Sequence, residues 1–242
     1  MGLQVTAGSI MERLHNIISN VPEVNLAQTL SNQPPRLKLG LPELDRILGG
    51  GIPRGMITEL YGPAGSGRTS IALTATAAAQ AAGEFVAWVD AFDAFSPRAA
   101  QEAGVDPKTL LWVRHASMCQ VLRATSLVLD TAGFSLAILD LLPPAHESGF
   151  KKKAAILQRP STWLRLKRAA ERSRAALLLL APYSLAGSFS SLALALAPLN
   201  TSWSGPMKGP AIMCRSNITI SVSRNRTGRE GGESHISMDT AY

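Results

Sequence analysis

Residues 62–70 read GPAGSGRTS. They almost match the phosphate-binding loop G-x-x-x-x-G-K-[ST], in which successive backbone N–H groups curl around phosphates at the start of a helix. The preceding MITELYG (56–62) predicts a strand, and TSIALTATAAAQAA (69–82) predicts the helix that follows the loop. This context indicates a nucleotide-binding loop formed by Gly62, Pro63, Ala64, Gly65, Ser66, Gly67, Arg68, Thr69 and Ser70.

The loop departs from the motif at one position, where Arg68 replaces the lysine. Arginine is longer and planar, so it is not a conservative exchange where a compact charge must meet the β- and γ-phosphates. The hydroxyl of Thr69 and the carboxylate of Asp140, at the end of SLAILDLL (135–142), are candidate Mg²⁺ ligands. We therefore expect ATP with Mg²⁺ as the candidate cofactor, with little or no hydrolysis.

Strand-like and helix-like segments alternate along the chain from about residue 40. Strands are predicted over 84–91, 110–115, 135–142, 175–183 and 216–226, and helices over 96–104, 119–133 and 161–174. HISMDT (235–240) is expected to form a hairpin with the last of these strands, and SLALALAPL (191–199) fits either a helix or an ordered loop. This alternation predicts an α/β fold with a mainly parallel central sheet and helices on both faces.

Positive charge is concentrated in one segment. Residues 151–174 contain nine of the 24 basic residues and one of the 17 acidic residues, whereas the whole chain has a net charge of +7. Such a local basic surface predicts an anionic partner, with nucleic acid the first candidate, although a solvated helix would have the same composition. The candidate DNA-binding residues are Lys151, Lys152, Lys153, Arg159, Arg165, Lys167 and Arg168.

The N-terminal region predicts a separate element. SIMERLHNIISNV (9–21) has apolar residues at helical spacing, and a proline-containing linker follows it, so the expected division is 1–35 and 36–242. A short helix with one apolar stripe needs a surface to cover it, on its own domain or on another subunit. The candidate oligomerisation residues are Ile10, Leu14, Ile17 and Val21.

Several of these stretches resemble one known family. GLPELDRILGGGIPRGMITELYGPAGSGRTSIAL, VDAFDAFSPRAAQEAGVDPKTLLW, SLAILDLL and SVSRNRTGREGGESHISMDTAY follow one another as the corresponding motifs do in the RecA-type ATPase core. The resemblance runs from about residue 36 to 242. It implies a RecA-like three-layer core and assigns Asp140 to the Walker B position.

The departures from the family pattern concern catalysis. The family's catalytic glutamate falls on Phe92, which cannot activate water, and strand alternation is expected to direct the neighbouring Asp93 elsewhere. The family's adenine-flanking aspartate and tyrosine fall on Ser96 and Ala99. No confident catalytic residue remains. The family's K-N-K segment, which reaches a neighbouring subunit's ATP, reads Arg224-Asn225-Arg226 here, so Arg224 and Arg226 are candidate trans-interface residues or ordinary edge-strand arginines.

The family's two DNA loops correspond to PPAHESGFKKK (143–153) and to the segment from about 184 to 210. An eroded catalytic set on a short core resembles ImuA-type proteins. That resemblance implies DNA, an inactive Y-family polymerase relative and an error-prone replicative polymerase as partners, with self-association or contact with RecA. Two distant cysteines, no secretory signal and no long apolar run predict a cytoplasmic protein without membrane contact.

Three functions remain open from the sequence. The first is a catalytically degenerate RecA-like accessory protein that supports error-prone translesion synthesis in the bacterial DNA damage (SOS) response. The second is an active DNA-stimulated ATPase or recombinase mediator. The third is a protein-binding regulator, such as a cell-division inhibitor.

Overall fold

The computed structural model describes residues 34–115, 117–144, 154–204, 212–228 and 233–239. The helix predicted over 9–21 lies outside these ranges, so the division at residue 35 stays a prediction. Lys151, Lys152 and Lys153 also lie outside them. None of the helices in the described ranges is long and apolar enough to serve as a membrane span.

The described elements alternate as the sequence predicts. The strands are β1 Arg36–Leu37, β2 Ile52–Pro53, β3 Ile57–Tyr61, β4 Phe85–Asp90, β5 Leu110–Arg114, β6 Phe134–Asp140, β7 Ala176–Ala181, β8 Leu192–Ser204, β9 Ile212–Asn225 and β10 Glu233–Asp239. The α-helices are α1 Pro42–Ile47, α2 Arg68–Ala81, α3 Pro97–Glu102, α4 Met118–Asp130 and α5 Pro160–Ser173.

One sheet organises the core. Its order is β10-β9-β8-β3-β7-β6-β4-β5, and every pair from β8 to β5 is parallel, whereas β9 is antiparallel to both β8 and β10. All six residues of β7 are buried, as expected for a parallel strand covered on both faces. The predicted α/β class with a mainly parallel sheet is confirmed, and so is the β9–β10 hairpin.

Two apolar clusters cover the two faces of the sheet. One includes the buried residues of α2 with Trp88 and Leu178, and the other includes those of α4 and α5 with Val89 and Leu179. Strand neighbours point to opposite faces because the side-chain period of a strand is two. Helices therefore lie on both faces, and α5 lies on the face opposite to α2.

The structure corrects one interpretation of the sequence. The segment 191–199, left open as a helix or an ordered loop, lies in β8, and the corresponding loop is only the connection 182–191 between β7 and β8. Alanine and leucine are strong helix formers, which made the sequence ambiguous. Pairing of β8 with β3 and β9 decides the outcome, because Leu192, Leu194 and Leu196 are all buried in the sheet.

Candidate nucleotide-binding site

The glycine loop joins β3 to α2 and has the backbone that the motif requires. Gly65 and Gly67 have φ angles of +75° and +81°, which L-residues with a Cβ rarely adopt. A Cβ on Gly62 would lie 2.0 Å from the carbonyl oxygen of Leu196 in β8, whereas a Cβ on Gly65 would meet nothing within 4 Å. Gly62 therefore allows close packing against β8, and the loop is open above Gly65.

The residues around these glycines divide into exposed and buried groups. Pro63, Ala64, Thr69 and Ser70 are exposed at the loop and the first turn of α2. Ser66 is fully buried, and its hydroxyl has no hydrogen-bond partner among the described residues. A buried hydroxyl without a partner is costly, so this group is available to a ligand or a water molecule.

Arg68 does not extend from the loop toward solvent. Its Nη1 donates to the carbonyl of Ala181 at 2.7 Å, its Nη2 donates to the carbonyl of Pro63 at 2.8 Å, and the residue is 7% exposed. Burial lowers the pKa of this guanidinium, while the charge of Asp140 raises it. The planar fork thus ties the loop to the end of β7, a link that a single ammonium group reproduces poorly.

Two aspartates end neighbouring strands at the same edge of the sheet. Asp90 and Asp140 are register partners in β4 and β6, and both are almost fully buried. Asp90 accepts from the backbone N–H groups of Phe92 at 3.0 Å and Phe95 at 2.9 Å, so it fixes the turn after β4. The pKa of Asp140 is raised to about 7, chiefly by burial and also by the charge of Asp90. The hydrogen bond from the N–H of Leu142 and the charge of Arg68 lower this pKa, but they only partly offset the rise.

The residues that would hold Mg²⁺ are Thr69 and Asp140. A hydroxyl and a carboxylate are oxygen ligands of the kind this cation prefers, and Asp140 Oδ1 accepts from Leu142 N at 3.0 Å, which orients the group. Within the described ranges, no cluster of three or more His, Cys, Asp or Glu residues forms a metal site. These two residues fit a cation that keeps most of its ligands from phosphate and water.

The expected catalytic position lies in the turn after β4. Phe92 is half-buried and packs against the apolar cluster of α4 and α5. Asp93 follows the end of the strand, with a φ of +55°, and its carboxylate pairs with Arg114 at 3.1 Å. The turn after β4 therefore determines where the Asp93 side chain points, rather than the strand alternation that the sequence suggested. Ser96 caps α3 by accepting from the N–H of Ala99 at 3.2 Å.

Sequence reasoning missed Glu59, which is fully buried in β3. Its Oε1 accepts from the backbone N–H groups of Leu185 at 2.5 Å and Ala186 at 3.0 Å, and its Oε2 accepts from Ser184 Oγ at 3.0 Å. It therefore holds the connection 182–191 where this segment crosses β3. One acidic residue within the apolar strand MITELYG was the only signal.

The two candidate trans-interface arginines lie at the other edge of the sheet. The end of β9 pairs with the start of β8, where Asn225 is opposite Leu192, whereas the glycine loop follows the far end of β3. Arg224 Nη1 donates within its own chain, to the carbonyl of Gly187 and to Ser190 Oγ at 3.0 Å. Arg226 is exposed. Arg226 is thus the more accessible of the two.

The described part of the basic segment, from residue 154 to 174, lies on a third surface. Arg159, Arg165 and Arg168 are exposed on and before α5, whose apolar side packs into the sheet through Trp163 and Leu166. Two ion pairs neutralise other cations of this helix, Lys167 with Glu171 at 3.7 Å and Arg172 with Asp130 at 2.6 Å. The structure therefore separates the predicted residues into the glycine loop with Asp140, the opposite edge, and the outer face of α5.

The fold and the glycine loop together define a RecA-like α/β protein. The family model described as the RecA N-terminal domain matches residues 22–147, and the chain belongs to this family. A crystal structure of the RadB recombinase superposes with a TM-score of 0.62 over 82% of this chain and 94% of that chain. At 21% identity, this likeness shows the fold alone.

Several curated relatives carry the name Protein RecA. The protein of Chloroherpeton thalassium is 39% identical over 122 residues, which is 48% of this chain and 34% of that protein. The protein of Rhodococcus opacus is 39% identical over 115 residues, 46% of this chain and 33% of that protein. The protein of Mycolicibacterium vanbaalenii is 40% identical over 111 residues, 44% of this chain and 32% of that protein. The matched region thus spans about a third of these relatives.

Proposed function

We propose that this chain is a cytoplasmic, catalytically degenerate RecA-like accessory protein of the bacterial DNA damage (SOS) response. It binds nucleotide with weak or no hydrolysis, binds DNA through the outer face of α5 and the basic segment before it, and supports error-prone translesion synthesis. Its partners are a Y-family polymerase-like protein and an error-prone replicative polymerase, and it associates with itself or with RecA.

One observation carries the proposal. The fold of the family is retained, while the groups that hydrolysis needs are replaced or engaged elsewhere. Phe92 stands where a base is needed, and the guanidinium of Arg68 is held by two backbone carbonyls. Removing a general base alone typically costs about 10²–10⁴-fold in rate. A protein with this site is better suited to holding partners than to turning over nucleotide.

DNA binding is supported by the distribution of charge on α5. Arg165 and Arg168 are exposed, and no ion pair is recorded for them within the described part of the chain, whereas Lys167 and Arg172 have acidic partners. Releasing counterions from phosphates requires cations that are free to approach them. We therefore assign the phosphate contacts to Arg165 and Arg168, and to Lys151, Lys152 and Lys153 earlier in the same basic segment.

The experiment is a salt titration of DNA binding by fluorescence anisotropy with the full chain. Each lost phosphate contact reduces the slope of log affinity against log salt by about 0.9. Changing Arg165 and Arg168 together to Ala is expected to reduce the slope by about 1.8 and to weaken binding to all sequences alike. Changing Lys151, Lys152 and Lys153 to Ala should reduce the slope by about 2.7 if each lysine contacts a phosphate.

Two matched controls isolate the surface. Arg98→Ala removes an exposed, ion-paired arginine from α3 on the other face of the sheet, and Arg123→Ala removes an exposed arginine from α4, to which no phosphate contact is assigned. Both are expected to leave the slope nearly unchanged. Unchanged binding in the Arg165, Arg168 variant would move the site elsewhere. Absence of DNA binding by the unmodified protein would favour the protein-binding regulator.

A further inference from the structure

The glycine loop contains groups that suit one or two phosphates. Its backbone N–H groups lie at the start of α2, where the helix dipole also favours an anion. Space is open above Gly65, and the fully buried hydroxyl of Ser66 lies across the loop, 3.1 Å from where a Cβ of Gly62 would be. This hydroxyl has no partner in the described residues, which makes it an unused donor inside the loop.

The charge that would complement a third phosphate is held elsewhere. In the motif, the residue at position 68 reaches the β- and γ-phosphates. Here Arg68 is inserted between the carbonyls of Pro63 and Ala181. Ala181 is fully buried at the end of β7, so withdrawing Arg68 would leave its carbonyl without this donor. We therefore expect the guanidinium to remain under the loop, hydrogen-bonded to these carbonyls, when a ligand binds above it.

Two buried carboxyl groups lie at the edge of the sheet from which the glycine loop follows β3. Asp140 ends β6 and Asp90 ends β4, two and three strands from β3, and the two residues are neighbours in register. A like charge near a phosphate is unfavourable, and its cost rises where the groups are shielded from water. When no Mg²⁺ is bound by Thr69 and Asp140, a third phosphate would approach these carboxyl groups without a cation from the loop to offset its charge, because Arg68 is engaged elsewhere.

We propose that this loop selects nucleoside diphosphates over nucleoside triphosphates. The second phosphate is held by the backbone N–H groups and by Ser66, and the third lacks a compensating charge. The inference rests on the proposed nucleotide binding and specifies its ligand. Slow hydrolysis alone would leave the triphosphate bound, whereas this preference means that the diphosphate is the ligand that occupies the loop.

The test compares the dissociation constants of fluorescent ADP and ATP analogues for the full chain, with and without Mg²⁺. Loss of a hydrogen bond to a charged group typically weakens binding about tenfold or more. We therefore expect ATP to bind at least about tenfold more weakly than ADP, since tenfold corresponds to about 1.4 kcal/mol. Inorganic pyrophosphate should likewise displace fluorescent ADP at lower concentration than tripolyphosphate, and this competition requires no variant.

Arg68→Lys is expected to reverse the order, because an ammonium on a flexible stem can leave the carbonyls and meet the third phosphate. Arg123→Lys, the same exchange at an exposed position of α4, is expected to leave the ratio of affinities unchanged. Tighter binding of ATP than of ADP by the unmodified protein, or of tripolyphosphate than of pyrophosphate, would overturn the selectivity while keeping nucleotide binding. No binding of any of these ligands would overturn both.

Discussion

The buried carboxylate of Glu59 offers the most direct measurement of how the sheet holds the connection between β7 and β8. Glu59→Ala removes three hydrogen bonds to residues 184–186. Two of the donors are backbone N–H groups, and an unsatisfied buried donor costs about 1–3 kcal/mol. Part of this loss is offset because a buried charge is also removed. The expected net destabilisation is about 2–4 kcal/mol.

The assay is thermal unfolding of the full chain followed by circular dichroism. For a domain of 150–250 residues, each kcal/mol lowers Tm by about 2–4 °C, so Glu59→Ala should lower Tm by roughly 4–16 °C. Glu59→Gln should cost only about 1 kcal/mol, because its Oε1 still accepts from both backbone N–H groups and its Nε2 can donate to Ser184 Oγ. Hydrogen exchange should accelerate at Leu185 and Ala186 in the Ala variant.

Glu102→Gln is the matched control, because Glu102 forms an exposed ion pair with Arg98 and such pairs contribute little to stability. A Tm of Glu59→Ala within about 2 °C of this control would refute the reasoning. The same conclusion would follow if exchange at Leu185 and Ala186 were unchanged. Either result would mean that the connection is held by its other contacts rather than by Glu59.

Three further predictions concern the remaining sites. The pKa of Asp140 is about 7 in the folded protein against an ordinary value of 3.8, so the folded state binds more protons than the unfolded state and its stability falls as pH rises toward 7, then levels off. The Tm of Asp140→Asn minus that of the unmodified protein should therefore be larger at pH 8 than at pH 5. An equal difference at both pH values would contradict this. Nucleotide turnover should be slower than about one per second with or without DNA, measured by phosphate release, and a faster rate would favour the DNA-stimulated ATPase. Light scattering should show self-association at tens of micromolar, roughly the weak end of specific association. The double variant Leu14→Asp, Ile17→Asp should be monomeric with an unchanged Tm. If the unmodified protein is monomeric, the N-terminal helix packs on its own domain or on another partner.

The parts of the fold that the sequence predicted correctly have strong local signals. Alternating apolar segments and the glycine loop identified the parallel sheet, and the helix predicted over 96–104 is present as α3, with Ser96 as its cap and Pro97 as its first residue. The alternating Leu and Ala residues of β8 have no such signal, because their composition favours a helix while only pairing with β3 makes them a strand. Pairing with strands that are distant in sequence cannot be predicted from a segment of nine residues.

The chemistry at the loop was harder to predict for a related reason. The sequence identified Arg68 as an exception, but its hydrogen bonds join residues 63 and 181, and the second partner comes from a strand more than a hundred positions away. Glu59 was missed because a single acid in an apolar strand has no pattern around it, and its three donors lie beyond residue 183. Both residues act mainly through backbone groups, and side-chain motifs do not include such contacts.

The positions of the glycine loop and Arg226 constrain how the two can work together. The N–H of Arg226 donates to Ser191, which in turn donates to Ile57 at the start of β3, whereas Gly62 follows the end of that strand. At about 3.3 Å per residue, the two ends are separated by roughly 17 Å along the strand direction, farther than one side chain extends. Arg226 therefore cannot serve the loop of its own chain. Any contribution of Arg226 to a bound phosphate must be made to a second molecule. A role of this arginine in trans would therefore require the self-association that light scattering measures.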